Sequence, residues 1–261
     1  MISPRLLRLT LHLFEGLLTC AVVFPFSGAP RRERLVRAWS RRLLDICGVS
    51  CGITDRADPV APPRALIVSN HTSWLDIFVI NAHRPCRFVA GADIRGWPLV
   101  GWLSHKVGTI FISRGKRSEV RQVYEILVAR IQAGDRVAFF PEGGTADQGT
   151  LRPFHANLFE AAIAAGVPIQ PYAVRYLDGE GLLHPATGYT GGTTFGQSVK
   201  SIAKARGLRA ELFLLPAIRA EGMHRRDLAA LARQAIAQTL GAALASPGEA
   251  AAGSGIEPEQ R

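Results

Sequence analysis

From residue 64 onward, short apolar runs alternate with segments of helical periodicity. Residues 65–68, 87–90, 109–113, 137–140, 169–176 and 211–215 read as strands, the fourth so wholly apolar that a central position is expected. Residues 75–82, 118–132, 157–165, 195–204 and 227–243 read as helices. Ser118 is placed to cap one of them, and Gly134 and Gly166 to end two. Residues 96–107, with Trp97 and Trp102, read as helical or broken, and the glycine-rich 181–194 as a loop. Strands alternating with helices predict an α/β fold with a largely parallel central sheet and helices on both faces.

The N-terminal segment differs. Residues 6–26 are apolar overall but carry Arg8, His12 and Glu15, and the uninterrupted run 17–24 stops at Pro25. That run is short of the ~20 residues a spanning helix needs. A helix lying in a membrane interface is expected. Ser27-Gly28-Ala29 also admits a cleaved leader, against which stand the three polar residues just named. A second helix over 32–46 sets Leu35, Val36, Trp39, Leu43 and Leu44 opposite arginines. The same pattern suits a core-packing helix with a solvated basic face. The expected organisation is therefore a membrane-associated helical motif over 1–50, an α/β domain over 51–245, and a disordered tail over 246–261.

Charge sharpens this picture. The net charge is +10, and six arginines with one glutamate crowd residues 31–42. A basic cluster beside an apolar helix suits an anionic membrane surface better than nucleic acid, for which no base-stacking motif is present. Hydrophobic residues at 48% exclude a disordered chain. Cys20, Cys47, Cys51 and Cys86 make neither a disulfide framework nor a zinc pattern.

Four segments carry candidate chemistry. Ser69-Asn70-His71-Thr72-Ser73-Trp74-Leu75-Asp76 follows a predicted strand and opens a helix. His71 and Asp76 are five apart, about 500° of helical rotation, so they meet only if His71 sits in the turn before the helix. Ser73 and Asp76 also fit a capping-box pattern, in which the carboxylate only satisfies the backbone. In 107–117, a strand runs into Arg114, Gly115, Lys116 and Arg117, which suits phosphate oxygens or a solvated basic turn. Phe139-Phe140-Pro141-Glu142-Gly143-Gly144-Thr145 places one carboxylate and two glycines after a strand. That carboxylate suits a substrate hydroxyl, Arg114, or merely the surface. Val167-Pro168-Ile169-Gln170-Pro171 alone says only strand.

Together the four resemble the glycerolipid acyltransferase family, most closely the bacterial 1-acylglycerol-3-phosphate acyltransferases. The matching positions are Asn70, His71 and Asp76, then Gly108, Ile110, Ile112 and Arg114, then Phe140, Pro141, Glu142 and Gly143, then Val167, Pro168, Ile169 and Pro171. The resemblance implies acyl transfer from acyl-CoA or acyl carrier protein to the hydroxyl of a lysolipid, without metal or other cofactor. It implies His71 as general base, Asp76 as its orienting partner, Arg114 on the acceptor phosphate, and Glu142 and Gly143 shaping the acceptor site. Thr145 and Lys116 join them as candidate substrate-binding residues. It also implies a two-helix membrane mount, and the cytoplasmic face of the inner membrane follows as the expected location. One departure stands out: Gly144 precedes Thr145, and no arginine follows until Arg152. The expected acceptor is 1-acylglycerol-3-phosphate, with lyso-ornithine lipid or another lysolipid as the alternative. A lipid-binding protein that has lost catalysis is the alternative of another class.

Overall fold

The structure is a computed structural model describing residues 4–57, 64–113 and 117–244, with only the backbone described at 117–120 and 243–244. Arg114, Lys116 and the tail over 246–261 lie outside the described residues. The chain runs through α1 (Pro4–Leu18), α2 (Ala29–Cys47), β1 (Val49–Asp55), β2 (Leu66–Ser69), α3 (Leu75–His83), β3 (Arg87–Gly91), α4 (Val100–Lys106), β4 (Ile110–Ile112), α5 (Arg117–Gln132) and β5 (Val137–Phe139). It continues through β6 (Thr150–Leu151), α6 (Glu160–Ala165), β7 (Ile169–Leu177), α7 (Phe195–Lys204), β8 (Leu208–Leu214), α8 (Arg225–Leu240) and β9 (Ala243–Leu244).

Seven strands form one sheet in the order β1-β8-β7-β2-β5-β3-β4, with β6 and β9 pairing separately. Every pairing in the large sheet is parallel except β7 with β8. β2 sits at the centre, and its alternating side chains explain why. Ile67 faces a core with Leu43, Leu44, Val79, Ile80 and Ile202 from α2, α3 and α7. Leu66 and Val68 face the other core, with Leu127, Ile131, Ala162, Leu228 and Ala232 from α5, α6 and α8. A strand buried on both faces reads as a continuous apolar run, as this one does.

β1 and β8 depart from the sequence expectation, and β6 and β9 have no counterpart in it. β1 is an edge strand paired in register with β8, and six of its seven residues are exposed, so it offered no apolar run. β8 starts at Leu208 rather than 211, and its first residues alternate buried and exposed.

α1 continues through a π turn over Thr19–Val23 and a 3-10 turn over Phe24–Phe26. The whole helix Pro4–Phe26, 23 residues, is long and apolar enough to cross a membrane by length and composition. One side packs on α2. The buried His12 ring stacks on Trp39 at 4.6 Å. Nε2 of His12 meets the Trp39 carbonyl at 2.9 Å, and Trp39 Nε1 donates to the His12 carbonyl at 3.0 Å. A Cβ on Gly16 would stand 2.7 Å from that indole, so only glycine admits the approach. The other side exposes Leu7, Leu11, Phe14, Leu18, Val22 and Phe26, spaced by three or four residues along one stripe. Arg5 anchors the start of α1 to the carbonyls of Ala203 and Ala205 at the end of α7, at 3.3 and 2.7 Å.

Candidate active site

The site is built where β2 ends. Asn70 extends the strand ladder with its side chain: Nδ2 donates to the Val174 carbonyl and Oδ1 accepts the Val174 N–H, both at 2.8 Å. The backbone is thereby released from β7 and turns, which places His71 before α3.

Asp76 lies in the first turn of α3 and is fully buried. Its Oδ2 accepts from Nδ1 of His71 at 2.8 Å, from the Thr72 N–H at 2.8 Å and from the Ser73 N–H at 3.0 Å. Oδ1 accepts from the Tyr176 hydroxyl at 2.6 Å. Four donors thus compensate one buried carboxylate. One oxygen of Asp76 serves the helix start and the imidazole together.

A carboxylate facing Nδ1 calls for the hydrogen there, so the neutral ring carries its lone pair on Nε2. The His71 side chain keeps 18% of its surface exposed. Its ring stacks on Phe140 at 4.0 Å with 10° between the planes, so the ring has one face covered and a fixed orientation. Burial, and then the adjacent Asp76 charge, push the Tyr176 hydroxyl well above its ordinary value, so it remains a donor.

Glu142 is turned inward and only 3% exposed. Oε1 accepts the His71 N–H at 2.7 Å and Oε2 accepts the Arg152 N–H at 2.9 Å. The carboxylate therefore clamps the His71 loop to the segment that follows β6 rather than reaching outward. Burial pushes its carboxyl up to about 7 and the Asp76 charge adds to this, while its two N–H donors and Arg152 oppose it. Gly143 has a φ of +73°, and its N–H donates to the Phe140 carbonyl at 3.2 Å. The Thr145 hydroxyl donates to the Tyr189 carbonyl, tying this turn to the loop before α7. The Ala146 N–H donates to the His71 carbonyl at 2.8 Å. The N–H groups of Thr72, Ser73 and Gly143 are all engaged within the protein, so none is an open oxyanion donor in this arrangement.

A chain of ring contacts runs from Trp97 through Phe195, Trp74 and Phe78 to Trp39 of α2. Trp74 meets Phe195 at 5.6 Å and Phe78 at 5.8 Å, Phe195 meets Trp97 at 5.3 Å, and Phe78 meets Trp39 at 5.7 Å. Trp102 stands apart, 40% exposed, under the Lys106 ammonium. Among the described residues no group of three or more His, Cys, Asp or Glu is placed to hold a metal ion.

A model of the family described as Acyltransferase matches residues 53–175. The lyso-ornithine lipid O-acyltransferase of Pseudomonas aeruginosa is 34% identical over 207 residues, covering 79% of this chain and 78% of that protein. The chain belongs to the acyltransferase family. The 1-acyl-sn-glycerol-3-phosphate acyltransferase of Neisseria gonorrhoeae is 35% identical, covering 68% of this acyltransferase and 69% of its relative. The crystal structure of the 1-acyl-sn-glycerophosphate acyltransferase PlsC from Thermotoga maritima shares the fold, with a TM-score of 0.57 at 18% identity over 90% of this chain and 97% of that one.

For this acyltransferase, the structure thus brings together His71, Asp76, Glu142 and Gly143, with Thr145 one loop contact away. Arg114 and Lys116 lie outside the described residues. Three contributors escaped the sequence reading. Tyr176 lies 100 residues from Asp76 with no local motif to mark it. Phe140 and Asn70 belonged to motifs but carried no assigned role.

Proposed function

We propose that the chain transfers a fatty acyl group from a thioester of coenzyme A or acyl carrier protein to the free hydroxyl of 1-acylglycerol-3-phosphate, giving phosphatidic acid. The observation that carries the reading is the 2.8 Å contact between Nδ1 of His71 and Asp76 on a partly exposed ring. In the neutral ring this contact leaves Nε2 as the nitrogen that can accept the proton of an entering alcohol. His71 takes the hydroxyl proton as the oxygen attacks the thioester carbonyl, a step typically worth ~10²–10⁴-fold. Asp76 balances the imidazolium that forms. The same proton then passes to the departing thiolate when the C–S bond breaks. No serine or cysteine nucleophile intervenes, so both substrates are bound together. Written this way, the transfer needs neither metal nor cofactor beyond the acyl thioester.

Glu142 acts here as a positioning residue, since it fixes the backbone of His71. The ring wall of Trp74, Phe78, Phe195 and Trp97 suits an acyl chain and excludes water. α1 and α2 would seat the enzyme on the cytoplasmic face of the inner membrane. The exposed apolar stripe enters the bilayer and the arginines of α2 meet anionic headgroups.

A second acceptor is favoured by a specific observation. Relatives in Pseudomonas aeruginosa and Rhodobacter capsulatus are named for lyso-ornithine lipid, and no cation directly follows the Phe-Pro-Glu-Gly turn. Transfer of labelled acyl thioester to a panel holding lysophosphatidate, lyso-ornithine lipid and other lysolipids separates the two. Lysophosphatidate is expected to be used best, with Arg114→Ala costing far more on it than on the ornithine acceptor. Equal losses on both acceptors count against a phosphate contact, and preference for lyso-ornithine lipid replaces the main reading by the second.

A further inference from the structure

The chain of rings beside the base holds Trp39 and Trp74, whose indole nitrogens differ. Trp39 Nε1 donates to the His12 carbonyl at 3.0 Å. Trp74 Nε1 is buried and meets no hydrogen-bond partner among the described residues. Buried polar atoms are ordinarily paired, and an indole N–H can only donate. The Trp74 ring has little freedom to turn toward an acceptor, because two rings hold it: Phe78 at 5.8 Å and 76°, and Phe195 at 5.6 Å and 68°. Trp74 immediately precedes α3, in the turn that carries His71. Ser69 Oγ and Thr72 Oγ1, also buried and without a partner among the described residues, lie on the same stretch, so unmet polar capacity gathers around the base. A hydroxyl rotates to suit a donor or an acceptor. The indole calls for an acceptor alone.

We infer that the Trp74 indole N–H donates to the carbonyl oxygen of the acyl linkage that the acceptor already carries, and so selects a lysolipid over an acceptor without that carbonyl. This rests on the acyl-transfer reading given above. The wall of Trp74, Phe78, Phe195 and Trp97 suits a hydrocarbon chain, but hydrocarbon offers an N–H nothing. An acyl chain differs from plain hydrocarbon at its first carbon, which bears the carbonyl. A lysolipid of either candidate kind keeps one such chain, whatever its headgroup. In 1-acylglycerol-3-phosphate that linkage sits on the carbon next to the one bearing the reacting hydroxyl. A hydroxyl at His71 therefore brings a carbonyl with it into the turn that carries Trp74. Gly191, Gly192 and Gly196, on either side of Phe195, have nothing within 4 Å of where a Cβ would stand, which leaves space around the segment that presents this ring. The reaction that supplies the acceptor is then itself an acylation, the one that set the first chain.

The test changes the donor on the enzyme and the oxygen on the acceptor in turn. Steady-state kinetics of the full-length enzyme in mixed micelles compare 1-acylglycerol-3-phosphate, its 1-O-alkyl ether and lyso-ornithine lipid. The ether has a methylene where the ester has its carbonyl. Trp74→Phe keeps a ring against Phe78 and Phe195 and removes the N–H. In the wild type the KM of the ester should lie about tenfold below that of the ether, the effect of one hydrogen bond. Trp74→Phe should raise the KM of the ester to that of the ether. It should leave the KM of the ether, the KM of the thioester and kcat near wild type. Where lyso-ornithine lipid is the only acceptor used, its KM should rise by the same factor. A preference for the ester that survives in Trp74→Phe overturns the inference, and so does a wild type with equal KM for ester and ether. A fall in kcat shared by ester and ether also overturns it, by assigning the N–H to the thioester carbonyl. An unchanged KM for lyso-ornithine lipid, where that is the only acceptor, does the same by leaving the indole a packing role alone. If the wild type transfers no acyl group to any of the three, it is the acyl-transfer reading that fails.

Discussion

The Tyr176 hydroxyl, from the end of β7, donates to Asp76 across 100 residues of sequence at 2.6 Å. It occupies the one carboxylate oxygen that His71 does not use. The strand that packs against β2 thereby fixes the group that fixes the base. Tyr176→Phe should leave one buried acceptor unsatisfied, at a cost of about 1–3 kcal/mol in stability. It should lower kcat about 10-fold to 100-fold while leaving KM for both substrates near wild type, because a tilted Asp76 misaims the imidazole. Chemical denaturation and steady-state kinetics check the two halves separately.

Glu142 gives a pH dependence whose sign follows from its raised carboxyl. The folded protein holds that proton up to about 7, whereas the unfolded chain releases it near 4.5. Between these values the folded state binds more protons, so this group's contribution is fully present below 4.5 and is lost as pH rises toward 7. The loss amounts to at most about 3 kcal/mol. Glu142→Gln removes the titration and also one of the two N–H acceptances. The variant should be less active. Its stability, followed by thermal unfolding, should fall less steeply than that of the wild type across this window. Parallel stability curves would show that Glu142 does not titrate there.

The stripe on α1 makes a separable prediction. Leu11→Lys with Leu18→Lys places two charges on the exposed apolar side and leaves the His12–Trp39 contact untouched. Co-sedimentation with anionic vesicles should drop sharply, because each buried leucine contributes roughly 1.5–3 kcal/mol to insertion. Activity on micellar substrate should persist. Undiminished vesicle binding would move the membrane contact elsewhere.

Much of this was legible in the chain. The run 65–68 announced a buried strand, and the five-residue interval from His71 to Asp76 allowed the two to meet only with the histidine in the turn and the carboxylate in the first helical turn. Other parts were not legible, for physical reasons. β1 at the sheet edge buries almost nothing, so burial left no trace in its sequence. Tyr176 is one of several large residues in a buried strand, and only the fold selects which of them faces Asp76. Glu142 invited an outward-facing role because the sequence cannot say that backbone N–H groups from 71 and 152 converge on it.

The central claim is that an imidazole held by Asp76 removes the acceptor's proton. Its most direct test is the single-turnover rate of acyl transfer in His71→Gln, with both substrates saturating and with unfolding and vesicle binding confirmed as wild type. The account predicts a fall of about 10²–10⁴-fold. A folded, membrane-bound His71→Gln enzyme that transfers the acyl group at the wild-type rate would contradict it.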